Sequence, residues 1–342
     1  MTSSTLSPNA WAQVQPVRRS ARSRALPVVA AVAAGTVIPI QSRLNAELSH
    51  RLHDGIAAAA ISFTGGLIIM SVLALCLPRL RQALRSLVPA TRERRLPRRY
   101  LLAGVLGGTF ALAQSTTALL TGIAVFTVSA IAGQTLGGLI VDARGIGGGL
   151  RQRPGASRLV GVALTLTAAV VSALPRLADA PAPGTVLLPS LIALLAGFLL
   201  GLQQAMNGAT GAAVDSPLAA TWANFAVGAI FLGLVWAMKT VAGGTAGHAL
   251  PTQWWAYLGG VCGVVFIGTS ALLVRRIGVL LIGMASIAGQ LAGSIALDLV
   301  LPSGDHSPGL FTVIGVVLTF AAVWIASHRK PTPKGESHVS QS

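Results

Sequence analysis

The sequence predicts an all-α polytopic membrane protein of ten transmembrane helices arranged as two inverted five-helix repeats. Three observations predict it. The chain has 342 residues, of which 53% are hydrophobic and 10% charged, with mean hydropathy +0.71. A soluble domain carries about 25% charged residues, so these few charges could not cover a water-facing surface. Ten apolar runs are each long enough to cross hydrocarbon, and uncommon residues recur between the two halves at fixed offsets. The 39 Gly and 18 Pro would suit a disordered chain, but the apolar content excludes one.

A crossing needs about 20 apolar residues, at about 1.5 Å each, to span a core about 30 Å thick. Segments 26–44, 56–77, 100–120, 122–141, 159–177, 187–206, 218–238, 254–274, 278–300 and 310–327 meet that need. Gln41, Arg43 and Asn45 crowd the end of the first. The third and fourth meet at Thr121-Gly122, which demands a tight turn. Arg-rich residues 18–24 followed by LPVVAAVAAG also fit a secretory signal, but the repeat needs this helix as a permanent part of the fold.

The formal charge of +16 reflects 25 Lys+Arg against nine Asp+Glu. A basic chain can mark a nucleic-acid binder. Here the basic residues cluster between apolar runs, so a membrane is the partner and nucleic acid is not. With the N-terminus in the cytoplasm, 21 basic residues fall in cytoplasmic segments and four (Arg43, Arg51, Arg176 and Lys239) on the other side. That asymmetry obeys the positive-inside rule and places both termini in the cytoplasm. The basic run at 79–99 and Arg275-Arg276 also meet anionic lipid heads, while Trp254, Trp255 and Tyr257 form an interfacial aromatic belt. Cys76 and Cys262 lie inside apolar runs and make neither a disulfide framework nor a metal-ligand spacing.

Gln41 and Asn45 recur as Gln203 and Asn207, Phe63 as Phe225 and Gly66 as Gly228, all at an offset of 162. Gly104, Gly107, Phe110, Gly122, Gln134 and Asp142 recur as Gly260, Gly263, Phe266, Gly278, Gln290 and Asp298 at an offset of 156. The six-residue difference falls in the longer, Arg-rich loop between the second and third spans. Five helices per copy is an odd number, so the second copy enters the membrane from the opposite side. Inverted repeats are a recurring architecture of secondary transporters, in which two halves open a midplane site alternately to either side. Residues 1–25 form a cytoplasmic tail, 26–177 the first repeat, 178–186 a connecting loop, 187–327 the second repeat and 328–342 a polar cytoplasmic tail.

On these blocks, over about residues 26–327, the chain resembles the drug/metabolite transporter superfamily, and within it the YdcZ-like inner-membrane exporters. The resemblance implies ten helices in two inverted halves, an export activity and a place in the cytoplasmic (inner) membrane. It leaves the cargo undefined.

Polar side chains at membrane depth face the bundle interior or a wet cavity. Gln41 and Asn45 share a helix face, as do Gln203 and Asn207, and they are expected to line the substrate path. The competing reading is helix cross-linking, at about 0.6 kcal/mol per hydrogen bond. Gln134 and Gln290 sit in Gly-Gln-x-x-Gly contexts, where close helix packing explains the pattern and a lining role comes second. Asn224 and Gln114 have no like residue at the equivalent position and are read as helix contacts. No carboxylate lies at a span centre. Glu47, near the outer end of the first span with Arg43 a turn earlier, is the proton-coupling candidate. Asp142 and Asp298 are read as interfacial caps or anchors. His50 and His53 fit no metal motif.

The sequence therefore points to a secondary transporter, without cofactor or metal, exporting a small polar or amphipathic metabolite or drug. No GxxxxGK[ST] loop for ATP appears, and no catalytic constellation marks an enzyme. A non-transporting membrane sensor or scaffold is the alternative. The two halves allow a monomer to suffice, and a homodimer is also compatible.

Overall fold

The computed structural model describes residues 22–121, 123–147, 151, 154–177, 183–243, 249–300 and 310–327. Among these residues the fold is wholly helical. In chain order the helices are α1 (Arg22–Leu52), α2 (Gly55–Cys76), α3 (Pro78–Arg92), α4 (Ala103–Thr121), α5 (Ile123–Arg144), α6 (Ala156–Leu177), α7 (Pro183–Ala213), α8 (Pro217–Val241), α9 (Gly259–Ile277), α10 (Val279–Val300) and α11 (Leu310–Ser327). Seven are long and apolar enough to cross a membrane: α1, α2, α5, α7, α8, α9 and α10. Each of the ten apolar segments expected from the sequence falls on a helix. The expected tails at 1–25 and 328–342 lie almost wholly outside the described residues, as do Gly122 and the side chain of Asp298.

Helix α3 was not expected. It occupies the Arg-rich loop, with Pro78 at its first turn, where a missing N–H costs nothing. Leu77, extended before that proline, ends α2 and starts α3. Leu80, Ala83, Leu87 and Ala90 form its buried stripe. Leu87 and Ala90 pack with Trp222 and Ala223 at the start of α8 and with Val214 just before it. Arg79, Arg81, Arg85 and Arg92 stay exposed.

Local backbone features recur at the two sequence offsets. His53 and Asp215 both adopt φ 50, and each precedes a helix cap. Asp54 caps α2 through Ile56 and Ala57, and Ser216 caps α8 through Ala219. Short 3₁₀ turns at Arg98–Leu102 and Trp254–Leu258 lead into α4 and α9. Gly278, alone between α9 and α10, has φ 88, a conformation that favours glycine.

Tertiary packing obeys the same exchange. Helix α1 packs on α10 and α9, while α7 packs on α5 and α4; α2 packs on α8, and α6 on α11. A Cβ at Gly35 would strike the backbone of Ser286, and one at Gly197 the backbone of Ala130. Gly133 meets Leu194 as Gly289 meets Val32. Such contacts let helix backbones approach closely, which is how helices associate where no hydrophobic force drives them together. Leu48 and Leu52 at the end of α1 form one cluster with Ala57 and Ala58 at the start of α2, and Trp236 near the end of α8 packs against it. The end of α7 instead lies by the start of α8, with Ala213 and Val214 beside Ala223. Helices α1 and α7 therefore run antiparallel.

The interior clusters around Leu280, Met284 and Ala288 of α10, and around Phe63, Met70, Phe225 and Leu232 of α2 and α8. The outer surface is apolar too, with Ile68, Leu75, Leu188, Leu195, Ile230, Val317 and Trp324 all exposed. A surface of this kind suits lipid contact.

Candidate functional site

The centre of the α2–α8 interface is an aromatic pair. The Phe63 and Phe225 rings lie 5.4 Å apart, tilted by 58°, within the range of favourable edge-to-face contact. Each ring rests on a glycine of the opposite helix, Phe225 on Gly66 and Phe63 on Gly228. The paired amides lie near this seam. Gln41 and Asn45 of α1 lie over Gly263 and Gly259 of α9, and Gly263 also touches Phe225. Gln203 of α7 lies over Gly107 of α4, at the position equivalent to that of Gln41.

The two pairs differ in their bonding. Gln203 Nε2 donates to Asn224 Oδ1 at 2.8 Å, and Asn207 Nδ2 donates to the same oxygen at 3.1 Å. Gln203, Asn207 and Asn224 are at most 3% exposed. A carboxamide oxygen has two lone pairs, so both are used and α7 is tied to α8. The residue equivalent to Asn224 in the first half is Ser62, too short for this hub. Asn45 Oδ1 is buried without a partner there.

Gln134 of α5 is buried beside Gly283 of α10, and its Nε2 has no partner among the described residues. Gln290 is only half-buried. Glu47 Oε1 is bound by Arg51 Nε at 2.7 Å, and both side chains are 35% exposed. The acid expected to couple protons is thus ion-paired and reachable by solvent. Asp142 caps α10, accepting from Val279 N at 2.8 Å and Leu280 N at 3.2 Å, and meets Arg158 of α6 at 3.1 Å.

Sequence reasoning missed Asp54. Beyond its cap, its Oδ2 accepts from Trp236 Nε1 at 3.2 Å and from Lys239 Nζ at 2.8 Å, joining α2 to α8. Burial opposes the charged carboxyl, but the Lys239 ammonium and the amides of Ala57 and Ile56 outweigh it and hold Asp54 below its ordinary 3.8. An Asp-Gly pair before an apolar run is a readable cap signal. Its partners, more than 180 residues away, are not.

A family model described as "Putative inner membrane exporter, YdcZ" matches residues 26–171 and 188–325. The chain belongs to the YdcZ family. This YdcZ-family chain is accordingly a multi-pass inner membrane protein of the transporter kind, a class that is not enzymatic. No curated protein matches it. A solved crystal structure is similar at TM-score 0.64 and 17% identity, over 90% of this chain and 97% of that one. At that identity the likeness is one of fold.

Proposed function

We propose that this chain is a secondary, non-ATP transporter. It exports a small polar or amphipathic metabolite or drug across the cytoplasmic membrane by alternating access. Its ten crossings form two inverted five-helix repeats, 26–177 and 187–327, with both termini cytoplasmic. One observation carries this reading: the helix pairings of α1, α2, α4 and α5 with the second half recur, with the halves exchanged, in those of α7, α8, α9 and α10. Gly35–Ser286 answers Gly197–Ala130, and Gly66–Phe225 answers Gly228–Phe63. The antiparallel course of α1 and α7 and the family match on both halves support it further. Two such halves can trade conformations and expose a midplane site to each side in turn.

Gln41 and Asn45 are the amides available to cargo, with the Phe63–Phe225 pair beside them. Gln203 and Asn207 border the path from the other half and share their hydrogen bonds with Asn224. Gln134 and Gln290 serve mainly in packing. Glu47 is the acid nearest Asn45 in sequence, and any coupling role must work through its exchange with Arg51.

Comparative metabolite profiling tests the reading, inside and outside cells with and without the chain. The expected result is a set of small solutes that accumulates inside when the chain is absent. Identical pools in both strains would overturn it.

A further inference from the structure

The Asn224 amide is held in one orientation. Its oxygen receives both Gln203 and Asn207, and turning Asn224 alone would set its NH2 against two other N–H groups. Its own Nδ2 is buried and has no acceptor among the described residues, although the residue is only 1% exposed. Buried donors in native proteins are nearly always partnered, so an orphan of this kind calls for an explanation. One turn of α7 beyond Asn207, on the same stripe, Thr210 Oγ1 is likewise buried and unpartnered. The equivalents of Asn224 and Thr210 in the first half are Ser62 and Leu48, so this donor group belongs to one half only.

We infer that Asn224 determines specificity by presenting its NH2 to an uncharged acceptor oxygen of the cargo, such as a carbonyl, ether or hydroxyl. The inference rests on the transport reading and adds the chemistry of what is carried. Neutrality follows from the surroundings. Helices α4 and α7 contain no Asp, Glu, Lys or Arg, and in α8 the sole charge is Lys239 in its last turn. Arg275 and Arg276 end α9, which packs on α7, but both are exposed, so an anion would find no buried counter-charge here, and a cation no carboxylate. The class is a neutral molecule with an exposed acceptor oxygen.

Asn224→Asp tests this in the profiling experiment, with the wild-type exported pool of small metabolites as the probe. Its carboxylate still accepts from Gln203 and Asn207, but an oxygen replaces the NH2. Export of neutral, acceptor-bearing solutes is expected to fall at least tenfold, at unchanged protein level in the membrane. Asn224→Ser covers the case in which the first variant fails to fold. Serine already occupies the equivalent position 62, and its hydroxyl is too short to reach the same point, so the same loss is expected. Wild-type export of the same solutes by either folded variant overturns the inference and leaves the transport reading standing. A wild-type pool identical to that of cells lacking the chain overturns both.

Discussion

Asp142 of α5 binds the backbone N–H of Val279, the first residue of α10, at 2.8 Å. The same carboxylate reaches Leu280 N and Arg158, so three helices end on one side chain. Asp142→Ala removes the cap and strips a buried guanidinium of its carboxylate, a change that costs about 3–5 kcal/mol. Asp142→Asn keeps an oxygen for α10 and is expected to lose clearly less. Melting temperatures of the detergent-purified proteins check the order, and equal losses would show that the charge facing Arg158, rather than the cap, carries the effect.

The Asp54–Lys239 link makes stability depend on acid. A carboxyl held below 3.8 in the folded chain contributes stability that is fully present above that value and disappears as pH falls through the lower folded one. Thermal melts from neutral pH down past 3.8 are expected to show this loss in the native chain and a flatter profile in Asp54→Asn. Asn also caps helices well, so Asp54→Ala is expected to cost about 1 kcal/mol more than Asp54→Asn at neutral pH.

The unequal bonding of the amides separates two kinds of variant. Gln41→Ala and Asn45→Ala remove groups that make no side-chain hydrogen bond among the described residues, and are expected to abolish flux in proteoliposomes while leaving the melting temperature nearly unchanged. Gln203→Ala and Asn207→Ala also break bonds to Asn224, with a stability loss of about 0.6 kcal/mol each. A double-mutant cycle with Asn224→Ala measures that coupling directly.

Glu47→Gln removes the charge that faces Arg51 across 2.7 Å. If Glu47 carries the coupling proton, this variant loses the dependence of flux on a pH gradient. A gradient dependence equal to that of the native chain assigns Glu47 to its ion pair alone.

Glycine substitutions should divide by what lies opposite. A Cβ at Gly133 meets the backbone of Leu194, which cannot swing aside, whereas Gly233 has nothing within 4 Å. Gly133→Val is expected to cost at least about 1–3 kcal/mol through overpacking. Gly233→Ala is expected to stabilise α8 by about 0.8–1 kcal/mol through helix propensity. Size-exclusion profiles after heating distinguish the two.

The helices and the recurrence of Gln41, Phe63 and Gly104 were legible in the sequence because lipid forces each crossing to be long and apolar, and close packing keeps glycine in place. Helix α3 was not read, since its arginines suggested a loop. The apolar spacing of Leu80, Ala83, Leu84 and Leu87 was the available signal. Asn224 was seen only as a helix contact because recurrence was the criterion and its opposite number is serine. What singles it out is which end of its amide is occupied, a property of neighbours 17 and 21 residues away that no spacing rule exposes. The sequence also treated Gln41 and Gln203 as equals, where the folded chain leaves one without a side-chain partner and uses the other.

On the alternating-access proposal, the mismatch of Asn224 with Ser62 makes the molecule a lopsided carrier. Detailed balance still holds, so a tighter grip at one mouth cannot by itself concentrate anything. It does set the tempo. On that proposal the mouth with the stronger grip would saturate at lower solute levels and let go more slowly, so traffic one way would be limited by departure and traffic the other way by capture.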